Sequence, residues 1–250
     1  MTFHLVAYTS SDAASTALTT LGTVTDGTVT PRGNGYIVPA FARYLMGTYG
    51  MGASLNRFQV QSPTLRANWP IDVSPVDVAA TVTSDPPWLD WAETPVEMSI
   101  GEELDIQRVT SLLAAERDYV GVWLCDGAIT KYKGTIQPIR TTGSTTLVAN
   151  AWSLIPLTFP TPLPSENYYV VGARFHSAGA VFGRLWFPGY GHRPGCFGFS
   201  TVAKHDDQRF RLGNNGIWGQ FNVASPPQAE ILSTSADTTE IVDLDLVPIG

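Results

Sequence analysis

Turn-forming residues cut this chain into short pieces along its whole length, and that punctuation limits what it can fold into. Asp26-Gly27, Gly33-Asn34-Gly35, Asp126-Gly127 and Asn214-Asn215-Gly216 supply positive φ, while Pro86-Pro87 and Pro226-Pro227 forbid a continuing ladder. Between the cuts lie alternating or wholly apolar segments, predicting strands near 2–9, 36–46, 53–61, 71–82, 96–108, 119–125, 129–140, 145–158, 168–176, 181–187, 216–223, 228–233 and 239–248. Two stretches could be helical, SLLAAE (111–116) and SDAASTALTTL (11–21). Neither is long enough to supply the crossover helices of a parallel sheet, so the expected class is all-β.

The pattern also echoes itself. ASLNRFQV (53–60) laid over AVFGRLWF (180–187) matches Ala and Arg at the same spacing, with apolar residues opposite one another at three further positions. YIVPAFARY (36–44) resembles YVVGARFHS (169–177), and VEMSIGEELDIQRV (96–109) sits at a similar offset from AEILSTSADTTEIVDLDLV (229–247). Three echoes in the same order predict a duplicated domain. The expected junction is Asp126-Gly127, giving one sandwich over residues 1–127 and a second over 128–250, each with Greek-key connections.

At 250 residues the chain can bury a sizeable core without disulfides, and its two cysteines, Cys125 and Cys196, read as free thiols. The formal net charge is −7, with twelve Arg and three scattered Lys. Phosphate tracking needs a clustered cationic face, so direct nucleic-acid binding is not expected. The opening MTFHLVAYTSSD has no basic n-region, and no run approaches the roughly 18 to 20 apolar residues of a membrane span, so the reading is a soluble protein made in a cytoplasm.

Chemistry is sparse. Residues 168–194 concentrate seven aromatics, three arginines and two histidines. Alternation puts Tyr169, Val171, Ala173 and Phe175 on one strand face, and Phe182, Arg184 and Trp186 together on another. An Arg among aromatics can stack on them and still present its donors, which suits an interface anchor or a ligand clamp. His192 and Cys196 form the one close pair of metal-ligating types, which falls short of a zinc site. The carboxylates Glu102-Glu103 and Asp206-Asp207 read as solvated turns, and Asp243 and Asp245 as the solvent face of a terminal strand. No phosphate loop, nucleophile elbow or dinucleotide fingerprint occurs, and no cofactor or metal is expected.

GASLNRFQVQSPTLR (52–66), YYVVGARFHSAGAVFGRLWFPGYGHRPGCFG (168–198), FRLGNNGIWGQF (210–221), PPQAEIL (226–232) and DLDLVPI (243–249) together resemble the double jelly-roll major capsid proteins of tailless icosahedral viruses, especially the compact bacteriophage versions. The resemblance implies two upright eight-stranded sandwiches and three copies forming a pseudo-hexameric capsomer in a virion assembled in the host cytoplasm. Implied partners are further copies of the chain, minor capsid or penton proteins, and an underlying membrane. Sixteen strands are implied where thirteen are read, so the others would lie in Val24–Thr30, Thr64–Trp69 or Gly195–Ala203. Arg57, Arg184, Trp186 and Arg193 are the candidate subunit-contact residues, because Trp and Arg are favoured interface anchors. The alternative function is a carbohydrate- or receptor-binding β-sandwich that stacks sugars on Trp88, Trp91, Trp186, Tyr190 or Trp218. A jelly-roll enzyme would need paired carboxylates or a His cluster in a cleft.

Overall fold

The computed structural model describes residues 3–11, 14–25, 31–52, 55–65, 69–72, 88–111, 117–127, 131–200 and 216–249. Among them no helix occurs, and the chain is all-β. The first half contributes β1 (Phe3–Ser10), β2 (Ser15–Thr20), β3 (Gly22–Thr23), β4 (Pro31–Arg32), β5 (Gly35–Ile37), β6 (Tyr44–Met51), β7 (Leu55–Gln61), β8 (Trp69–Asp72), β9 (Trp88–Asp90), β10 (Val96–Glu97), β11 (Glu103–Thr110) and β12 (Asp118–Cys125). The second contributes β13 (Gln137–Thr142), β14 (Trp152–Ile155), β15 (Asn167–Ser177), β16 (Ala180–Trp186), β17 (Gly195–Phe197), β18 (Phe199–Ser200), β19 (Gly219–Asn222), β20 (Gln228–Ser233) and β21 (Ile241–Pro248).

These strands make four sheets, two from each half. Sheet 1 runs β10-β6-β12-β1-β3 with β9 also on β6, and sheet 2 runs β4-β5-β11-β7-β8 with β2 on β11. Sheet 3 runs β13-β21-β15-β18 with β19 also on β15, and sheet 4 runs β14-β20-β16-β17. Every pairing is antiparallel except the short one between β15 and β18. Eight strands in each half occupy matching places. Numbered in chain order, β1, β2, β6, β7, β8, β9, β11 and β12 pair as 1-8-3-6 and 2-7-4-5, and so do β13, β14, β15, β16, β17, β19, β20 and β21. Four counterpart pairs begin 123 to 125 residues apart, at 44 and 167, 55 and 180, 103 and 228, and 118 and 241.

The echo between 53–60 and 180–187 therefore falls on counterpart strands, β7 and β16. The one read at 36–44 does not: the counterpart of β15 is β6, and Gly35–Ile37 belongs to sheet 2. The stretch 11–21 holds a strand, not a helix, because Ser15–Thr20 pairs with β11, setting Thr19 opposite Arg108 and Thr20 opposite Gln107. Threonines suit such a half-buried pleat, and tertiary pairing outweighs the weak helix propensity of an Ala/Ser/Thr run. Residues 112–116 of the other helical candidate lie outside the described residues, as does most of the strand read at 71–82.

Sheet 1 explains the rest of the packing. β12, DYVGVWLC, is buried at all eight positions, as expected of a strand covered on both faces. Val120, Val122 and Leu124 pack with Val6, Tyr8, Phe58 and Ile106 in a core between sheets 1 and 2. Trp123 points the other way with Leu5, Ala7 and Tyr49, into a second core shared with Phe182 and Leu185 of sheet 4. Trp123 and Tyr49 meet Phe182 edge-on at 5.9 and 6.1 Å between ring centres. Sheet 4 packs its far face on sheet 3, through Gly183 against Phe175. The two halves thus join face to face through an apolar seam.

Candidate functional site

The aromatic and arginine-rich stretch lies on this seam. β16 sits between β20 and β17, so Arg184 has Glu230 directly opposite on one side and Gly195 on the other. Its Nε donates to Glu230 Oε2 at 2.6 Å, its guanidinium lies 3.9 Å from the ring centre of Trp152, and its Nη1 donates to the Leu5 carbonyl at 3.2 Å. Arg193 approaches the same carboxylate, Nε to Oε2 3.5 Å, over the ring of Trp186, and its Nη1 donates to the carbonyl of Tyr190 at 3.1 Å. Arg184 is 1% exposed and Glu230 7%, so this is a buried cluster of two guanidiniums on one carboxylate.

The same segment closes the edge of the first half. The outer edge of β1 is met at His4 and Leu5 by residues 192–195: Leu5 N donates to Arg193 O at 2.8 Å, and Arg193 N donates to His4 Nδ1 at 2.9 Å. Trp123 Nε1, from β12, donates to Gly195 O at 2.6 Å. An open strand edge is a template for unwanted pairing, and here it is used up within the chain. Gly195 permits the approach, since a Cβ there would overlap Gly183 O and come 2.8 Å from Leu5 Cδ2.

The structure therefore brings Arg184, Trp186 and Arg193 together and turns both guanidiniums inward, toward their own chain. Trp186 is half-buried at the margin of the cluster. Arg57 lies apart on β7 in sheet 2, half-buried, with sheet 1 between it and the cluster. Glu230, Trp152 and Leu5 complete the site. The composition of 168–194 gave no signal for them, because their partnership depends on which strands become neighbours.

Other readings are corrected by the pairing. β15 carries a bulge between Val170 and Gly172 that shifts its alternation, so Tyr168 and Val170 join Ala173 and Phe175 in the core in place of Tyr169, while Val171 is buried at the bulge as well. Asp243 and Asp245 are 1% and 0% exposed, because β21 is an interior strand between β13 and β15. Asp243 accepts from Arg140 Nε at 2.8 Å and Arg174 Nη2 at 2.6 Å, one arginine from each neighbouring strand. Glu102 is no solvated turn residue either: its carboxylate accepts from the backbone N–H of Thr64 and Ser99 at 3.0 and 3.1 Å. Trp218 is fully buried against Phe3 and Phe175, so it offers no stacking face, and Trp91 packs on the first core. His205, Asp206, Asp207 and the side chain of Trp88 lie outside the described residues.

Cys125 and Cys196 are free and buried, and burial pushes both thiols up, that of Cys125 to about 11. His192 stacks on Phe187, and burial pulls its imidazole down to about 4. Among the described residues no three His, Cys, Asp or Glu side chains gather closely enough to hold a metal ion.

No protein-family model and no curated protein matches the chain. Among solved structures, a Paenibacillus xanthan lyase overlaps it at a TM-score of 0.22 and 12% identity, over 94% of this chain and 25% of that one. The chain thus spans a quarter of that enzyme's length, and a likeness of this size carries no inference about what it does.

Proposed function

We propose that this chain is a double jelly-roll coat subunit that self-assembles, as trimers of pseudo-hexagonal outline, into an icosahedral viral shell. The observation that carries the reading is the repeated strand order. Eight strands in each half pair as 1-8-3-6 and 2-7-4-5, and this shared order supports reading each half as a jelly roll built of two Greek keys. Two such units joined by a shared apolar core give a block whose trimer presents six similar sandwiches, a shape that tiles a closed lattice by symmetric contacts. The buried seam supports this, because a lattice subunit must hold its two halves at a fixed angle. Fold alone does not fix function, and the likeness of 52–66 and 168–198 to capsid proteins is what turns the fold toward a shell.

With Arg184 and Arg193 spent inside the chain, Arg57 and Trp186 are the proposed contact residues that retain surface. The test is the mass of the purified protein by light scattering, with negative-stain imaging. Trimers or closed particles are expected, each contact burying more than roughly 1,000 Å². A protein that stays monomeric at high concentration and never forms shells overturns the reading.

A further inference from the structure

The end of the second sandwich where β15 begins and β16, β19 and β21 finish holds a pocket of about 420 Å³. Its walls include Phe187, Tyr190, Asn167, Gln220, Asn222 and Ser225, and among the described residues no ionised side chain lines it. We propose that this pocket binds a neutral pyranose, with Tyr190 as the stacking platform and the three carboxamides as hydroxyl partners. This goes beyond the coat assignment and does not depend on it.

Both walls are fixed in advance by their turns. Tyr190 N donates to Phe187 O at 3.0 Å across Pro188-Gly189, with Gly189 at φ 86°, the signature of a type II turn. The carbonyl of Tyr190 is held by Arg193, and its ring rests edge-on against His192 at 5.3 Å. Yet Tyr190 is 44% exposed, a large aromatic surface offered to solvent from a braced turn. On the facing wall Ser225 N donates to Asn222 O at 2.8 Å, and Ala224 N donates to Asn222 Oδ1 at 2.9 Å. Asn222 Nδ2 then donates to Asn167 Oδ1 at 3.1 Å, which fixes the orientation of both amides. Gln220 is exposed beside them.

The chemistry selects the ligand class. A pyranose has an apolar C–H face that packs on an aromatic ring, and a rim of hydroxyls that each donate and accept. Carboxamides and a serine hydroxyl match that rim. Among the described residues an anionic ligand would find no cation in this lining, and a purely apolar one would strand the amides without partners. The volume lies at the small end of ligand sites, suited to one or two sugar rings.

Saturation-transfer NMR of the full chain with methyl α-glucoside, methyl β-galactoside and methyl N-acetyl-β-glucosaminide tests this, with glucuronate as the anionic probe. At least one neutral glycoside should give transfer, weakened about tenfold in apparent affinity by Tyr190→Ala and by Gln220→Ala, and largely retained in Tyr190→Phe. All three variants are checked for unchanged thermal unfolding. No transfer from any neutral glycoside, transfer indifferent to both alanine variants, or stronger binding of glucuronate each overturns the proposal. Light scattering on the same samples keeps it separate from the coat reading: particles without sugar binding sink only the pocket, and sugar binding by a permanent monomer sinks only the shell.

Discussion

Arg184 and Glu230 face each other across β16 and β20, Nε to Oε2 2.6 Å, with side-chain exposures of 1% and 10%. Around them the first half contributes the Leu5 carbonyl and the second contributes Trp152 and Arg193. Charge taken this far out of water is held only by its partners, so the two members of the pair are not equivalent.

Glu230→Gln leaves two buried guanidiniums with no counter-charge from this carboxylate, and is expected to cost about 3–5 kcal/mol. Arg184→Met removes a donor but leaves Glu230 beside Arg193, and its apolar chain still packs on Trp152, so about 1–3 kcal/mol is expected. Urea unfolding of the two variants checks the order. Equal losses, or a larger loss for Arg184→Met, would show that Arg193 does not share the carboxylate.

His192 makes stability depend on pH in a defined window. Its folded pKa is pulled from 6.5 down to about 4, with burial as the main cause and the neighbouring Arg193 adding to it. The Trp218 backbone and Asp126 act in the opposite sense and only partly offset the burial. The unfolded chain therefore takes up a proton first as pH falls. Stability should drop from about pH 6.5 toward pH 4, by about 3 kcal/mol in all, and flatten below that. His192→Gln keeps a donor for Trp218 and cannot titrate, so the difference between wild type and variant isolates the effect from the carboxylates. Parallel pH profiles for the two proteins would refute it.

The punctuation by Gly and Pro was enough to read an all-β chain, because turn chemistry is local. Positions set by non-local pairing were not legible. Nothing in YYVVGARF announces the bulge between Val170 and Gly172, and one inserted residue exchanges Tyr169 for Tyr168 in the core. Nor does EIVDLDLV reveal that its strand is interior, since Asp243 and Asp245 would serve equally well on a solvent face had β13 and β15 not supplied Arg140 and Arg174. Arg184 was legible as an unusual residue among aromatics. Its role was not, because Glu230 and Leu5 lie 46 and 179 residues away.

Gly195 tests the seam without touching a charge. It sits at the point where β17, β16 and β1 converge, its carbonyl accepting the Trp123 indole N–H and its Cα facing Gly183 O, Arg184 Cβ and Leu5 Cδ2. A methyl group has no room there, and two of the three obstacles are backbone or the root of a buried side chain, which cannot swing aside. Gly195→Ala must therefore pull the 192–195 segment off β1, with a loss of about 1–3 kcal/mol. It should also increase amide exchange at Leu5, whose N–H is bonded to Arg193 O. Gly191→Ala is the matched control, four residues away on the same loop: the nearest atom to its new methyl is Phe41 Cε1 at 3.6 Å, an ordinary contact, so a change within about 0.5 kcal/mol is expected. If Gly195→Ala were as mild as the control and Leu5 stayed protected, the two halves would not be joined through this edge.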